Sequence, residues 1–310
     1  MPIAIVPENE EHWLQLRSED VTSTEVAALF DLSPYMTVME LHYLKSGKKA
    51  LDFEETNRIK WGRRLEAVIA KGVADDLKLD IRKVNRYMRH SDVPRMGSSF
   101  DFEIVNNERG PGILEIKNVD GFIYRQSWQD NEAPEHIEIQ VQHQLEVADR
   151  EWAMICPLVG GNEAKPFIRM RDRAVGEAIR NAVSEFWRMV DAGEEPKPDY
   201  ERDAEFIISL HQAAGDQVLN TQDQTLADLL KMYKEAGAAE SAAEKHKQAI
   251  KAQILDLVGD SYSKVLCSNF TLSCGFTSEV PPTVITPDMV GQTYGGRKGF
   301  RNFRVTEKKS

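Results

Sequence analysis

Several features are scarce in this sequence, and each scarcity removes a class of protein. Cysteine occurs only three times in 310 residues, as Cys156, Cys267 and Cys274. So few thiols exclude a disulfide framework and agree with a reducing compartment. Cys267 and Cys274 lack a second pair, so no zinc site is expected. No apolar run approaches the roughly 18 to 20 residues that span a bilayer. Residues 1–11 are polar and acidic, without the apolar stretch of a signal peptide. A cytoplasmic protein, with no membrane partner, is therefore expected. Positive charge is also in short supply, with 39 Lys and Arg against 50 Asp and Glu, a net charge of -11. Taken alone, that balance argues against a nucleic-acid partner, because neutralising phosphates takes Lys and Arg. An acidic metal site beside a local basic track would reconcile the two. No sequence repeat is visible.

What is present fits a soluble chain with one sizeable domain and something extra, at 41% hydrophobic and 29% charged residues. Trp13 to Arg17 reads as helix. A second helix is expected to begin at Thr22-Ser23-Thr24-Glu25, where Thr22 and Glu25 have capping-box spacing and Val26, Leu29 and Phe30 supply an apolar stripe. Asn57 to Leu77 has helical periodicity. Ser99 to Val105 and Gly112 to Lys117 alternate as strands, and Asn106 to Gly112 reads as the turn of a β-hairpin. Helix resumes over Glu135 to Asp149. Strands follow at Trp152 to Leu158 and Pro166 to Met170, then an amphipathic helix from Asp172 to Ala192. The fold class is α/β, with a mixed sheet flanked by helices.

The hairpin carries the chemistry. Side chains two apart on a strand share a face, so Glu115 and Lys117 emerge side by side. The turn returns the chain and can bring Asp101 next to Glu115. Two carboxylates and an ammonium then share one small site, and hard carboxylate oxygens suit Mg²⁺ or Mn²⁺. Glu-x-Lys alone is an ordinary strand face. The apolar neighbours Ile113, Leu114 and Ile116, which indicate a central strand, and the Asp one hairpin back set this one apart. Glu66, in Trp61-Gly-Arg-Arg-Leu-Glu66, becomes a candidate third metal ligand beside them.

Gly62-x-x-x-Glu66, Ser99-x-Asp101, Glu115-x-Lys117 and Gln140-x-Gln142-His143-Gln144-Leu145 occur in that order over roughly residues 10–195. This set resembles the lambda-exonuclease family, the YqaJ-like viral recombinase nucleases of the PD-(D/E)XK fold. The resemblance implies a restriction-endonuclease-like core. It implies that Asp101 and Glu115 bind metal, that Lys117 serves the nucleophile, and that Glu66 and Gln140 complete the site. Phe100 and Phe102 stand where the family usually has Pro and Gly around the motif Asp. Trp13-x-x-x-Arg17 followed by Thr22-Ser23-Thr24-Glu25 is similar to the family's pocket for a 5′-terminal phosphate. Arg17, Thr24 and Ser99 match its ligands by position, with Thr24 where Ser is frequent. A helix N-terminus there would be a natural phosphate site. The resemblance implies a Mg²⁺-dependent 5′→3′ exonuclease, with Mn²⁺ able to substitute. It would degrade one strand at linear double-stranded DNA ends and leave 3′ tails for phage-type recombination. It also implies a homo-oligomer, a trimer by analogy, and a single-strand annealing protein as partner. His143 reads as structural.

The expected division is a nuclease domain over 1–200, a long helix or helical hairpin over 201–263, and a small basic β-rich segment over 264–310. Thr221 to Gly259 follows three-four spacing, and Gly237 is its weak point. The segment Tyr294 to Arg304 alternates basic and aromatic residues, a composition that can track phosphates and stack bases. Two other readings stand beside the exonuclease: an endonuclease of the same fold, and a non-catalytic DNA-binding scaffold. An iron–sulfur relative of the fold would need a fourth cysteine.

Overall fold

A computed structural model describes residues 1–49, 56–128, 132–211 and 217–279, with short strand segments at 283–284, 293–294, 300–301 and 304–307. Most of the tail from Tyr294 to Arg304 lies outside the described residues. The chain forms two compact units, Met1–Ala214 and Gly215–Ser310.

The first unit is built on a mixed sheet. Its strands are β2 (Asp80–Lys83), β5 (Phe102–Val105), β6 (Gly112–Val119), β7 (Trp152–Val159), β8 (Glu163–Ala164) and β9 (Phe167–Met170). A small separate sheet joins β1 (Ile3–Ile5), β3 (Tyr87–Arg89) and β4 (Gly97–Ser98). The main sheet runs β2-β5-β6-β7-β8, with β9 also paired to β7. β5 and β6 form the antiparallel hairpin, in which Phe102 faces Leu114. β6 then pairs parallel with β7, Glu115 opposite Ile155. A parallel pair needs a crossover, and two helices supply it, α4 (Gly121–Ser127) and α5 (Glu135–Ala148). β6 is thus central, and its first five residues are buried. β7 is apolar on both faces, as a covered central strand must be.

Helices cover both faces. α3 (Asn57–Leu77) packs Ile69, Ala70 and Val73 against Ile104, Leu114, Ile116 and Met154. α5 packs Ile137, Val141 and Leu145 against Ile113, Ala153 and Ile155 on the other side. Behind α5 lies α6 (Arg173–Ala192), with a further core of Ile179, Val183, Phe186 and Trp187. α5 is therefore covered on two sides, and eleven of its fourteen residues are buried. Two of its outer polar side chains are met by neighbours from the chain that follows. Glu146 bonds Arg171 at 2.6 Å and also Arg180. Gln142 donates to the Met170 carbonyl at 2.9 Å and accepts from Asp172 N at 2.9 Å. His143 is fully buried, and burial pushes its pKa down to about 3, so it is neutral.

The expected helix at Thr22 is corrected. α1 (Glu10–Glu19) is followed by a turn and a five-residue 3₁₀ helix over Val26–Phe30. Thr22 N and Oγ1 do bond Glu25 Oε2, at 2.9 and 2.8 Å. That carboxylate is also held by Lys45 at 3.0 Å, from α2 (Val38–Lys45), and Asp31 ends the segment in the left-handed conformation. The capping-box residues here close a turn. α2, α4 and the β1-β3-β4 sheet are short elements beyond the sequence reading. The first unit extends to Ala214 because α7 (Ala204–Leu210) buries Phe206, edge-on to Tyr43 at 5.3 Å.

In the second unit, α8 (Gln224–Val258) is one unbroken helix of 35 residues that passes straight through Gly237. β10 (Lys264–Cys267) pairs antiparallel with β11 (Phe270–Ser273), which pairs again with Arg304–Glu307. Among the described residues no helix is long and apolar enough to cross a membrane.

Gly112 opens β6 directly against the buried Trp152 ring, and a Cβ there would overlap the indole. Gly112→Ala should therefore destabilise the fold by about 1–3 kcal/mol, the usual cost of overpacking a core. Urea denaturation, with the m-value unchanged, is the check.

Candidate active site

β6 and α5 build the centre of the site together. Ile113, Glu115 and Lys117 share the face of β6 that α5 covers, because strand side chains alternate. On α5, Gln140 and Gln144 are four residues apart, so they project from one face. The buried Glu115 carboxylate lies between them. Its Oε1 accepts from Gln140 Nε2 at 2.6 Å and from Lys117 Nζ at 2.7 Å, and its Oε2 accepts from Gln144 Nε2 at 2.8 Å. Lys117 Nζ also donates to Gln140 Oε1 at 3.1 Å. Gln144 went unassigned in the sequence reading, and its spacing from Gln140 was the signal.

Asp101 arrives from the other arm of the hairpin, just before β5. Its Oδ2 accepts the Ile116 backbone N–H at 2.8 Å. Phe100 and Phe102, the two departures from the family pattern, fill the core on opposite faces of the sheet, so the hairpin forms with them. Burial pushes the Asp101 carboxyl well above the usual carboxylate range, and the charges of Glu115 and Glu66 push the same way. Burial opposes the charged form of Lys117, yet Glu115 and Asp101 outweigh it and hold the ammonium above its usual pKa. Lys117 is therefore a cation.

Glu66, one turn beyond Gly62 on α3, comes from the opposite face of the sheet. It lies in electrostatic reach of Asp101, but its Oε1 is 3.5 Å from Lys83 Nζ. Among the described residues no three His, Cys, Asp or Glu side chains converge closely enough to hold a metal ion. The pair Asp101 and Glu115 still fits a hard divalent cation. Carboxylates are brought together there beside Lys117, and the raised pKa of Asp101 reflects their crowding and its burial.

A second cluster adjoins the first through the segment Ser98 to Asp101. Ser99 Oγ accepts from Trp13 Nε1 at 3.0 Å, and Ser98 Oγ donates to Ser23 Oγ at 3.0 Å. The Arg17 guanidinium lies 4.7 Å over the Trp13 ring and donates to Thr24 Oγ1 at 3.2 Å. Arg17, Thr24 and Ser99 are thus gathered around Trp13. The phosphate site expected at a helix N-terminus is not built that way, because the helix after Thr24 is a single 3₁₀ segment. Lys45 fixes this loop from below. Its buried ammonium donates to the Arg17 and Asp20 carbonyls at 2.8 and 2.6 Å. No local sequence signal marked it. The first two turns of α3 add a basic surface, with Arg58, Lys60, Arg63 and Arg64 exposed and Arg64 stacked 5.1 Å from the exposed Trp61 ring.

Residues 12–151 match the model of the YqaJ-like viral recombinase domain. An uncharacterized protein YqaJ of Bacillus subtilis (strain 168) is 27% identical over 194 residues, 62% of this chain. The match spans 60% of that relative's length. Among solved structures, an alkaline exonuclease from Laribacter hongkongensis aligns with a TM-score of 0.50 at 18% identity, over 64% of this chain and 99% of the other. The fold is accordingly the restriction-endonuclease-like α/β fold, a central sheet flanked by helices.

The raised pKa of Asp101 has a thermodynamic consequence. The folded state binds this proton more tightly than the unfolded state, so the metal-free fold loses stability as pH rises through the raised value. Below the unfolded value of about 3.9 the penalty is absent. In chelator at pH 8, Asp101→Asn should raise Tm by about 2–4 °C, equivalent to ~1 kcal/mol. The gap should close as the pH is lowered toward 4. Thermal scans across that range decide it, and a less stable variant at pH 8 would rule out the charge imbalance.

Proposed function

We propose that this protein is a Mg²⁺-dependent exonuclease that digests one strand of linear duplex DNA from its 5′ end and leaves 3′ single-stranded tails. The observation that carries the reading is the short connection between the two clusters. Ser99, bonded to Trp13 beside Arg17, stands two residues from Asp101, which meets β6 beside Glu115. A group that can grip a terminal phosphate is thereby tied to a group that can cut the next linkage.

In this reading Asp101 and Glu115 hold the metal, with Glu66 drawn in from the α3 side. When bound there, Mg²⁺, or Mn²⁺ in its place, would neutralise charge on the scissile phosphate and make water a stronger nucleophile. Gln140 and Gln144 keep the Glu115 oxygens oriented, and Oε2, with one donor, keeps a lone pair for the cation. Lys117, held as a cation, orients the attacking water and offsets the charge that develops on phosphorus oxygens. Arg17 contributes the charged, fork-shaped donor suited to a phosphate, while the Thr24 and Ser99 hydroxyls complete the pocket. The exposed cations of α3 supply the local phosphate track that the acidic chain lacks as a whole. A homo-oligomer, a trimer by analogy with lambda-type enzymes, and a single-strand annealing protein in the same cell complete the proposal.

Linear duplex DNA with labelled 5′-phosphate ends, beside closed circular DNA, tests the activity. Mononucleotides should be released progressively from the linear substrate only, and only with Mg²⁺ or Mn²⁺. Lys117→Ala should lower kcat by roughly 10²–10³-fold, the usual cost of losing one transition-state donor. Cutting within the circle would replace this reading with an endonuclease, and DNA binding without cutting would replace it with a scaffold.

The pocket has its own test. Arg17→Ala should lower kcat/KM on 5′-phosphorylated ends by about tenfold or more, the worth of a charged hydrogen bond. Ends bearing a 5′-hydroxyl should be nearly unaffected. An equal loss on both substrates would remove Arg17 from phosphate recognition.

A further inference from the structure

α8 has an amphipathic seam that no described residue of its own unit covers. No residue of its 35 is buried. Helices in water draw most of their stability from packing one apolar face against a partner. On α8 that face is open: Leu229 is 57% exposed, Met232 63% and Leu257 87%. These residues belong to one line that runs from Leu229 to Leu257 in alternating steps of three and four, with Gln253 as its polar exception. Four such heptads, with charges flanking the line, are the signature of a coiled-coil seam.

The flanking charges and the order of side-chain sizes identify the occupant. A parallel pairing of two copies would set Glu235 against the partner's Glu240 twice, with no attractive pair in return, and would stack His246 on the partner's His246. Reversing the second helix about the point between Glu244 and Lys245 changes the pairing. Glu240 then faces the partner's Lys247, twice by symmetry, and Tyr233 meets the partner's Ile254. Ile250 fits over the partner's Ala239, and Leu257 over the partner's Met232. The like-charged pair of Glu235 with the partner's Asp256 falls at the ends of the contact, where Lys231 already neutralises Glu235 at 3.9 Å. The seam is complementary to itself when reversed, which no unrelated partner would require.

We propose that α8 pairs with α8 of a second copy of this chain as an antiparallel two-stranded coiled coil, joining chains two by two. Light scattering and sedimentation of the full chain over a concentration series test this. The mass should correspond to an even number of 35.2 kDa chains, six where the proposed trimers are joined in pairs. E240K places like charges at both symmetric contacts and should weaken the pairing roughly tenfold or more. E240K/K247E should restore it. Both positions are exposed and outside the proposed nuclease site, so the fold is not at stake. A parallel coil gives the opposite sign, because E240K would relieve its repulsion. A monomer at every concentration, an odd-numbered assembly, or a mass that E240K leaves unchanged or strengthens would overturn the proposal.

Discussion

A carboxylate buried in the middle of a sheet must be met by donors, and the organisation of the first unit follows from how Glu115 is met. Little of it is open to water, and an unpaired buried charge costs several kcal/mol. Three side-chain donors take its two oxygens: Lys117 from the same strand, and Gln140 and Gln144 from α5. For both glutamines to arrive, α5 must lie flat on the sheet with amides among its apolar residues. Its outer polar groups then need partners of their own. Gln142 finds the start of α6, and Glu146 finds Arg171 and Arg180. The layer order of sheet, α5 and α6 is thus bound up with satisfying one anion. Asp101 is left with a single backbone donor and two carboxylate neighbours, and its raised pKa records that imbalance.

The segment Ser98 to Phe102 turns this local chemistry into a longer construction. Successive residues are anchored in different places. Ser98 bonds Ser23, Ser99 bonds Trp13, Phe100 enters the core under α5, Asp101 meets β6, and Phe102 enters the core under α3. A chain pinned at five consecutive residues has little freedom to shift one cluster against the other. On the proposed reading that rigidity sets the spacing between a held 5′ phosphate and the bond to be cut. Lys45 extends the same constraint to the Arg17 loop by tying two of its carbonyls and Glu25 to α2.

How much of this was legible in the sequence depended on whether the deciding contact was local. The hairpin was readable because alternation and a turn sequence agree within about fifteen residues, and a strand's period of two fixed Glu115 and Lys117 on one face. Long helices with unbroken periodicity, such as Asn57 to Leu77, were equally plain. The segment at Thr22 misled, because the same Thr and Glu spacing closes either a helix or a turn. A lysine twenty residues further on, at Lys45, decided between them. The strands of the small sheet are only two or three residues long, too short for any pattern to register. For Glu66, periodicity gave the helix but not the face of the sheet it covers, and in the fold it pairs with Lys83 at 3.5 Å.

The acidity of the chain looks opposed to a DNA substrate only while charge is treated as a total. A phosphate responds to charges within a screening length, about 8 Å at physiological ionic strength. Over residues 57–64 there are four Lys or Arg and no acid, although the chain as a whole carries -11. The acids are spent differently. Glu103 lies buried against Arg82 and Arg150, and Glu146 against Arg171 and Arg180, so both are neutralised inside the fold. On the proposed reading Glu115 and Asp101 are held back for a cation. On the same reading, a strand end would meet the local excess at α3 and Arg17, and the net charge of the chain carries little information about it.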